Sequence, residues 1–179
     1  RYEGDHNTPT AAMKKIGFIL MAGALLMAVS CTPSKGKLCD LAKESLEQSL
    51  YYPKQLRILS VSEPDSAFGI NYLSPKEMKG IMKTMKVVTD SIMARTGNMS
   101  SFNPDDYYVI SLAERQMKAT SEIRDMVFRS SKKENFSGWK VKIDYESVDH
   151  DGIKYRSERW TFIDKDGHNV LRAFDIPLP

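Results

Sequence analysis

The residues best suited to chemistry lie near the C-terminus, where apolar and charged side chains alternate. Trp139, Val141, Ile143 and Tyr145 are interleaved with Lys140, Lys142, Asp144 and Glu146, a period of two that predicts a strand with one wet face. Asp151-Gly152 and Asp166-Gly167 are hairpin signals. They bracket a second strand over 153–163, and a third is expected over 168–174, ending before Pro177. With a loop of Asp149 to Gly152, Trp139 faces Phe162, Val141 faces Trp160, Ile143 faces Glu158 and Tyr145 faces Arg156. A second loop of Asp164 to Gly167 sets Leu171 beside Trp160 and Ala173 beside Glu158. One face then becomes aromatic, with Arg156 and Glu158 the polar residues caught on it. A carboxylate on an apolar face is costly unless paired, and burial raises its pKa toward values useful for general acid or base work. Glu158 is therefore the candidate catalytic residue. Arg156, Tyr145, Trp139, Trp160 and Phe162 are the candidate ligand-binding residues around it. The competing arrangement is a bulge near Ser157 that turns Glu158 to solvent, or an Arg156–Glu158 pair at the sheet edge.

The other chemistry-bearing residues are dispersed. His150 and His168 fall at opposite ends of one expected strand, about 35 Å apart at about 3.3 Å per residue, which is too far for a shared metal or a triad. Cys39 has no base nearby and reads as a small apolar residue near a helix start. Asp164, Asp166 and Gly167 match a fragment of a calcium loop, but the alternating ligands and closing glutamate are missing. Met78, Met82 and Met85 share a helical face and could bind copper(I), yet Ile81, Val88 and Ile92 make the same face a core stripe. Lys140, Lys142, Lys154, Arg159 and Arg172 could meet anionic headgroups. Asp144 and Glu146 lie among them, so cross-strand ion pairs on a solvated face are expected instead. No phosphate loop, Gly-x-Ser-x-Gly elbow, Cys-x-x-Cys or His-Glu-x-x-His motif is present, and no cofactor or metal is expected.

A fold of modest size has to position these residues. The chain has 179 residues, 41% hydrophobic and 27% charged, the balance of an ordinary globular domain. Its 26 basic and 23 acidic residues are interspersed, so no clustered phosphate-neutralising surface exists and nucleic acid is excluded as a partner. Two cysteines exclude a disulfide framework. Leu38, Leu41, Ala42, Leu46 and Leu50 step at helical intervals and predict a helix ending before Pro53. Residues 56–62 and 67–73 read as a hairpin across Glu63-Pro64-Asp65. Ser74-Pro75-Lys76-Glu77 is a capping-box start for a helix to about Arg95. Asn103-Pro104-Asp105-Asp106 starts another, carried by Val109, Leu112, Gln116, Ala119, Ile123 and Met126 to about Ser130. The fold class expected is α+β: a curved antiparallel sheet packed on helices, in the order helix, two strands, two helices, three strands.

Ahead of this domain, Met13 is followed by Lys14, Lys15 and an apolar run from Ile16 to Val29. These are the n-region and h-region of a secretory leader, shorter than the roughly 20 residues of a membrane span. The run ends in Ala28-Val29-Ser30-Cys31, which resembles the lipobox of bacterial lipoproteins, including those of Bacteroidetes type. The resemblance implies that residues 13–30 are a signal peptide, that Cys31 is lipidated, and that residues 31–37 form a polar tether to a single domain over 38–179. Residues 1–12 are read as lying upstream of the initiator. Acyl chains at about 0.8 kcal/mol per buried methylene anchor a protein without a span. The tether lacks the acidic residues of surface-exported relatives, which implies a periplasm-facing leaflet of the cell envelope. The element order is similar to that of the ketosteroid-isomerase and nuclear-transport-factor superfamily, or of cystatin-like domains. That superfamily's cone can hold a small ligand or serve only as an assembly surface, which is what the resemblance implies. The function expected is thus a lipid-anchored envelope module that binds a small apolar ligand or an envelope protein without catalysis. The alternative is a small enzyme using Glu158 as general base in the aromatic pocket.

Overall fold

Ser34 turns its hydroxyl onto the Lys37 N–H at 3.2 Å, satisfying an orphan donor and opening the first helix, α1 (Lys35–Ser49). The computed structural model describes residues 32–129 and 132–179. The expected signal peptide and Cys31 lie outside them. Lys35 to Lys37, expected in a tether, form the first turn of α1. Pro33 just before it packs on Gly167, where a Cβ would come 2.6 Å from the proline ring. Gly167 has φ +67°, so a side chain there is both strained and obstructed.

A 3-10 turn (Pro53–Gln55) leads to β1 (Arg57–Val61), β2 (Asp65–Ala67), α2 (Pro75–Arg95), α3 (Tyr107–Arg129), β3 (Gly138–Val148), β4 (Lys154–Asp164) and β5 (Val170–Leu178). The class is α+β with the expected order of elements, and all strand pairs are antiparallel. Strands run β1-β3-β4-β5 across the sheet, and β2 also pairs with β3. The expected hairpin over 56–73 is therefore absent. Instead β1 and β2 are successive pieces of one edge, since Ser60 pairs with Asp144 and Asp65 with Lys140. Pro64 has no N–H to give the ladder, and Ser62 bridges the break by exchanging 2.9 Å bonds with the Lys142 N–H and C=O.

The helix starts are those that local chemistry dictates. Ser74 accepts the Glu77 N–H at 3.3 Å while Glu77 accepts the Ser74 N–H at 2.7 Å, the reciprocal capping box. Asp106 accepts the Val109 N–H at 3.2 Å and so fixes where α3 begins.

Register is where the structure departs from expectation. Trp139 lies opposite Ile163, Val141 opposite Thr161, Ile143 opposite Arg159 and Tyr145 opposite Ser157. The turn is the cause, because Val148 pairs with Lys154 and the connection runs from Asp149 to Ile153, one residue longer than Asp149 to Gly152. Gly152 takes φ +82°, a conformation that favours glycine. A shift of one residue sends a strand's side chains to the opposite face. Trp160, Phe162, Phe174 and Ile176 accordingly pack against Ile81 and Met85 of α2 and Ala119, Ile123 and Met126 of α3. Val141, Ile143, Tyr145 and Ile163 pack on the other side against Leu38, Ala42 and Leu46 of α1.

Helices thus cover both faces, and the expected wet face of β3 is corrected: Lys140 is buried, with its Nζ 2.5 Å from a Glu77 carboxylate oxygen. From Ser157 to Ile163, every residue of β4 but Glu158 is buried. A second shift at Phe162/Ile163 pairs Phe162 with Arg172 and Ile163 with Val170. Leu171 is the extra residue; it is 47% exposed and not beside Trp160. Ala173 pairs with Thr161 rather than Glu158. β5 continues through Pro177, which an edge strand tolerates.

Gly138 has φ +148°, and a Cβ there would sit 2.0 Å from the Ile163 carbonyl oxygen. Gly138→Ala is expected to cost at least about 2 kcal/mol, through a clash with backbone that cannot retreat. A fall in the urea midpoint at unchanged slope checks it.

Candidate functional site

The one-residue shift divides the six candidate residues between the two faces. Glu158, Trp160, Phe162 and Arg156 fall on the side of α2, while Tyr145 and Trp139 fall on the side of α1. No aromatic pocket gathers them. Glu158 accepts the Trp160 Nε1–H at 2.6 Å and lies 3.7 Å from the Lys142 Nζ. It lines an open cleft of about 430 Å³ with Glu77, Lys140, Lys142 and Trp160. Phe162 is fully buried in the core, and Arg156 is exposed toward the Asp149 end of the sheet. Trp139 donates to the Lys165 carbonyl at 3.2 Å and sets its ring edge-on to Phe136 at 5.3 Å.

A different constellation forms on the α1 side, near the β3–β4 turn. Tyr145, Ser157, Asp175 and Pro177 line a cleft of about 320 Å³. Ser111, Glu114, Arg115 and Lys118 of α3 line it too, as do Tyr51 and His150, whose rings are 5.6 Å apart. The strands bring the polar groups together by register alone, since Ile143, Arg159 and Asp175 are successive cross-strand partners, as are Tyr145, Ser157 and Pro177.

Asp175 is the electrostatic centre of the cleft. Tyr145 donates to its Oδ1 at 3.2 Å, and Arg159 donates to its Oδ2 at 3.3 Å. The same Arg159 nitrogen reaches Ser49 Oγ at 2.8 Å, which ties the end of α1 to the sheet. Burial pushes the Asp175 carboxyl above the usual carboxylate range, although Arg159 and Tyr145 pull the other way. Burial likewise raises the phenols of Tyr145 and Tyr155.

Asp149 shows the opposite balance. Desolvation works against its charge, but the Ser111 hydroxyl, the Ile153 and Asp151 N–H groups and Arg115 outweigh it and hold the carboxyl below its ordinary value. Its oxygens lie 2.5 Å from Ser111 Oγ, 2.9 Å from the Ile153 nitrogen and 3.1 Å from the Asp151 nitrogen. Arg115 lies 3.7 Å from this carboxylate and 4.3 Å above the Tyr155 ring. Burial lowers the Arg115 pKa.

Four buried polar atoms here lack a protein partner: Ser157 Oγ, Thr161 Oγ1 and the Nε atoms of Arg115 and Arg159. Buried polar groups are almost always paired, and Ser157 and Arg115 line the cleft. The arrangement therefore offers hydrogen bonds to a molecule that enters. It offers no metal cage, because no three His, Cys, Asp or Glu side chains converge among the described residues.

Sequence reasoning missed Ser157, Arg159 and Asp175. The signal lay in their spacing: Ser157, Arg159 and Thr161 alternate with Glu158, Trp160 and Phe162, a polar series down one side of a strand whose other side is aromatic. Compared with known proteins, the chain matches no family model, and no curated protein or solved structure resembles it significantly.

Asp149→Ala is expected to cost about 2 kcal/mol at neutral pH by orphaning a hydroxyl, two backbone N–H groups and a guanidinium. The sign with pH follows from the lowered folded pKa. The stabilisation is complete above the ordinary carboxylate pKa near about 4 and is lost as pH falls through the lower folded value. Denaturation midpoints between acid and neutral pH should thus drop less steeply in Asp149→Ala than in the unaltered protein.

Proposed function

We propose that the protein is a lipid-anchored module of the bacterial envelope, held at a periplasm-facing leaflet through Cys31, that binds a small ligand in the Tyr145–Ser157–Asp175 cleft without transforming it. The observation that carries the binding reading is the Ser157 hydroxyl, which is completely buried and unpartnered yet lines an open cleft. An unmet hydrogen bond inside a fold costs about 1 to 3 kcal/mol, and a ligand hydroxyl or amide that reaches it recovers that free energy. Support for the anchor comes from the order of Lys14, Lys15, the apolar run and Ser30-Cys31.

Binding fits the chemistry of the cleft better than catalysis does. Asp175 is engaged by both Tyr145 and Arg159, one at each oxygen, which hold its carboxylate in a fixed orientation. Glu158, the carboxylate of the enzymatic alternative, is engaged by Trp160 and neighboured by Lys142.

In the full chain, Cys31→Ser is expected to abolish incorporation of labelled fatty acid and to move the protein from the detergent phase to the aqueous phase. Unchanged labelling of the variant would sink the anchor. For the cleft, backbone NMR shifts during a fragment screen should cluster at Ser111, Tyr145, Ser157 and Asp175. Hits confined to the Glu158 cleft would move the binding reading there.

A further inference from the structure

The lining of the cleft carries information about charge. Arg115 pairs with Asp149 and Arg159, behind the cleft, with Asp175, while Lys118 and Glu114 add one charge of each sign to the lining. Cations and carboxylates therefore balance, and the deeper ones are already committed to one another. An ionic ligand would find no net excess of opposite charge and would lose its own hydration on entry.

What remains available is neutral. Ser157 Oγ can both donate and accept, and Arg115 Nε is a single directed donor. Carboxylate oxygens of Asp175 and Asp149 keep further lone pairs beside the bonds they already accept. Flat apolar surface borders these groups, with Tyr51 74% exposed and tilted against the His150 ring. Polar side chains and aromatic faces thus alternate around one small space.

From this combination we infer that the cleft takes a neutral polyhydroxylated ring, a pyranose sugar. The inference rests on the proposal that the cleft binds a ligand, and it names the ligand's class. Each sugar hydroxyl is both donor and acceptor, so it bonds a paired carboxylate or guanidinium without needing net charge. The C–H face of the ring lies on an aromatic side chain such as Tyr51, and the hydroxyls at the ring's edge reach Ser157 and Asp175. A volume of about 320 Å³ is at the small end for ligand sites, which limits the guest to one or two rings.

The test uses residues 32–179, which contain both apolar clusters and all five strands and pack as one unit. Saturation-transfer NMR is run with methyl glucoside, galactoside, mannoside and N-acetylglucosaminide, with the N-acetylglucosamine trisaccharide, and with acetate, succinate and inorganic phosphate. At least one glycoside is expected to bind, with its ring C–H protons most strongly saturated. Ser157→Ala should weaken that binding about tenfold, one hydrogen bond's worth, while leaving thermal stability unchanged or raised. Tyr51→Ala, at an exposed position, should weaken it without touching stability. A trisaccharide that binds more tightly than the methyl glycoside marks a glycan chain as the source, and equal affinities mark a free sugar. Acetate, succinate or phosphate binding in place of every glycoside overturns the sugar class and keeps the cleft as a binding site. Glycoside binding that Ser157→Ala leaves intact places the sugar elsewhere and overturns the inference. Silence from all probes overturns both the class and the reading it rests on.

Discussion

The carboxylate of Asp149 decides which side chains share a face. It takes the N–H groups of Asp151 and Ile153 within the turn and the hydroxyl of Ser111 from α3. The first two bonds hold the longer connection between β3 and β4; the third docks a helix onto it. Once Val148 pairs with Lys154, Trp160 and Phe162 have only the side of α2 and α3 to occupy, and Ser157, Arg159 and Thr161 fall to the side of α1. Both cores and the polar cleft descend from that one pairing.

The order of elements and the helix starts were legible because they are set by neighbours in sequence. Ser74 and Glu77 form their capping box within one turn, and Ala119, Ile123 and Met126 lie inward as their spacing requires. The candidate site was not legible in the same way, because register depends on a single residue of loop. Ile153 belongs to the turn rather than the strand, a choice that its own apolar character conceals. The alternation in β4 misleads for a second reason. With helices on both sides, Trp160 and Thr161 are equally buried, and the wet-face rule that reads Lys140 and Lys142 as solvated does not apply. Lys140 instead closes an ion pair with Glu77, so the residue that caps α2 also fastens it to the sheet. The broken edge of β1 and β2 was equally hidden, since Pro64 resembles a hairpin turn when only the local sequence is read.

β4 serves two interiors of different character. Its even-numbered side carries Trp160, stacked on Phe174 at 6.2 Å with an interplanar angle of 4°, and that side is a packed aromatic layer. Its odd-numbered side carries a hydroxyl, a guanidinium and a second hydroxyl, all buried and not all paired. An apolar series in their place would pack more favourably, since each unmet polar atom costs about 1 to 3 kcal/mol. The fold tolerates this side because the aromatic layer supplies the cohesion, and the tension between the two marks the cleft as the part of the molecule not arranged for stability alone.

Pro33, seated on Gly167, fixes more than the entry of α1. That contact lies at the end of the sheet where β3 begins, and the cleft lies where β3 ends. From Gly138 to Tyr145, the first cleft residue on β3, seven steps at about 3.3 Å put about 23 Å between them. The cleft and the segment that opens α1 are therefore served by opposite ends of one strand, and a change at either is separated from the other by that length of β3.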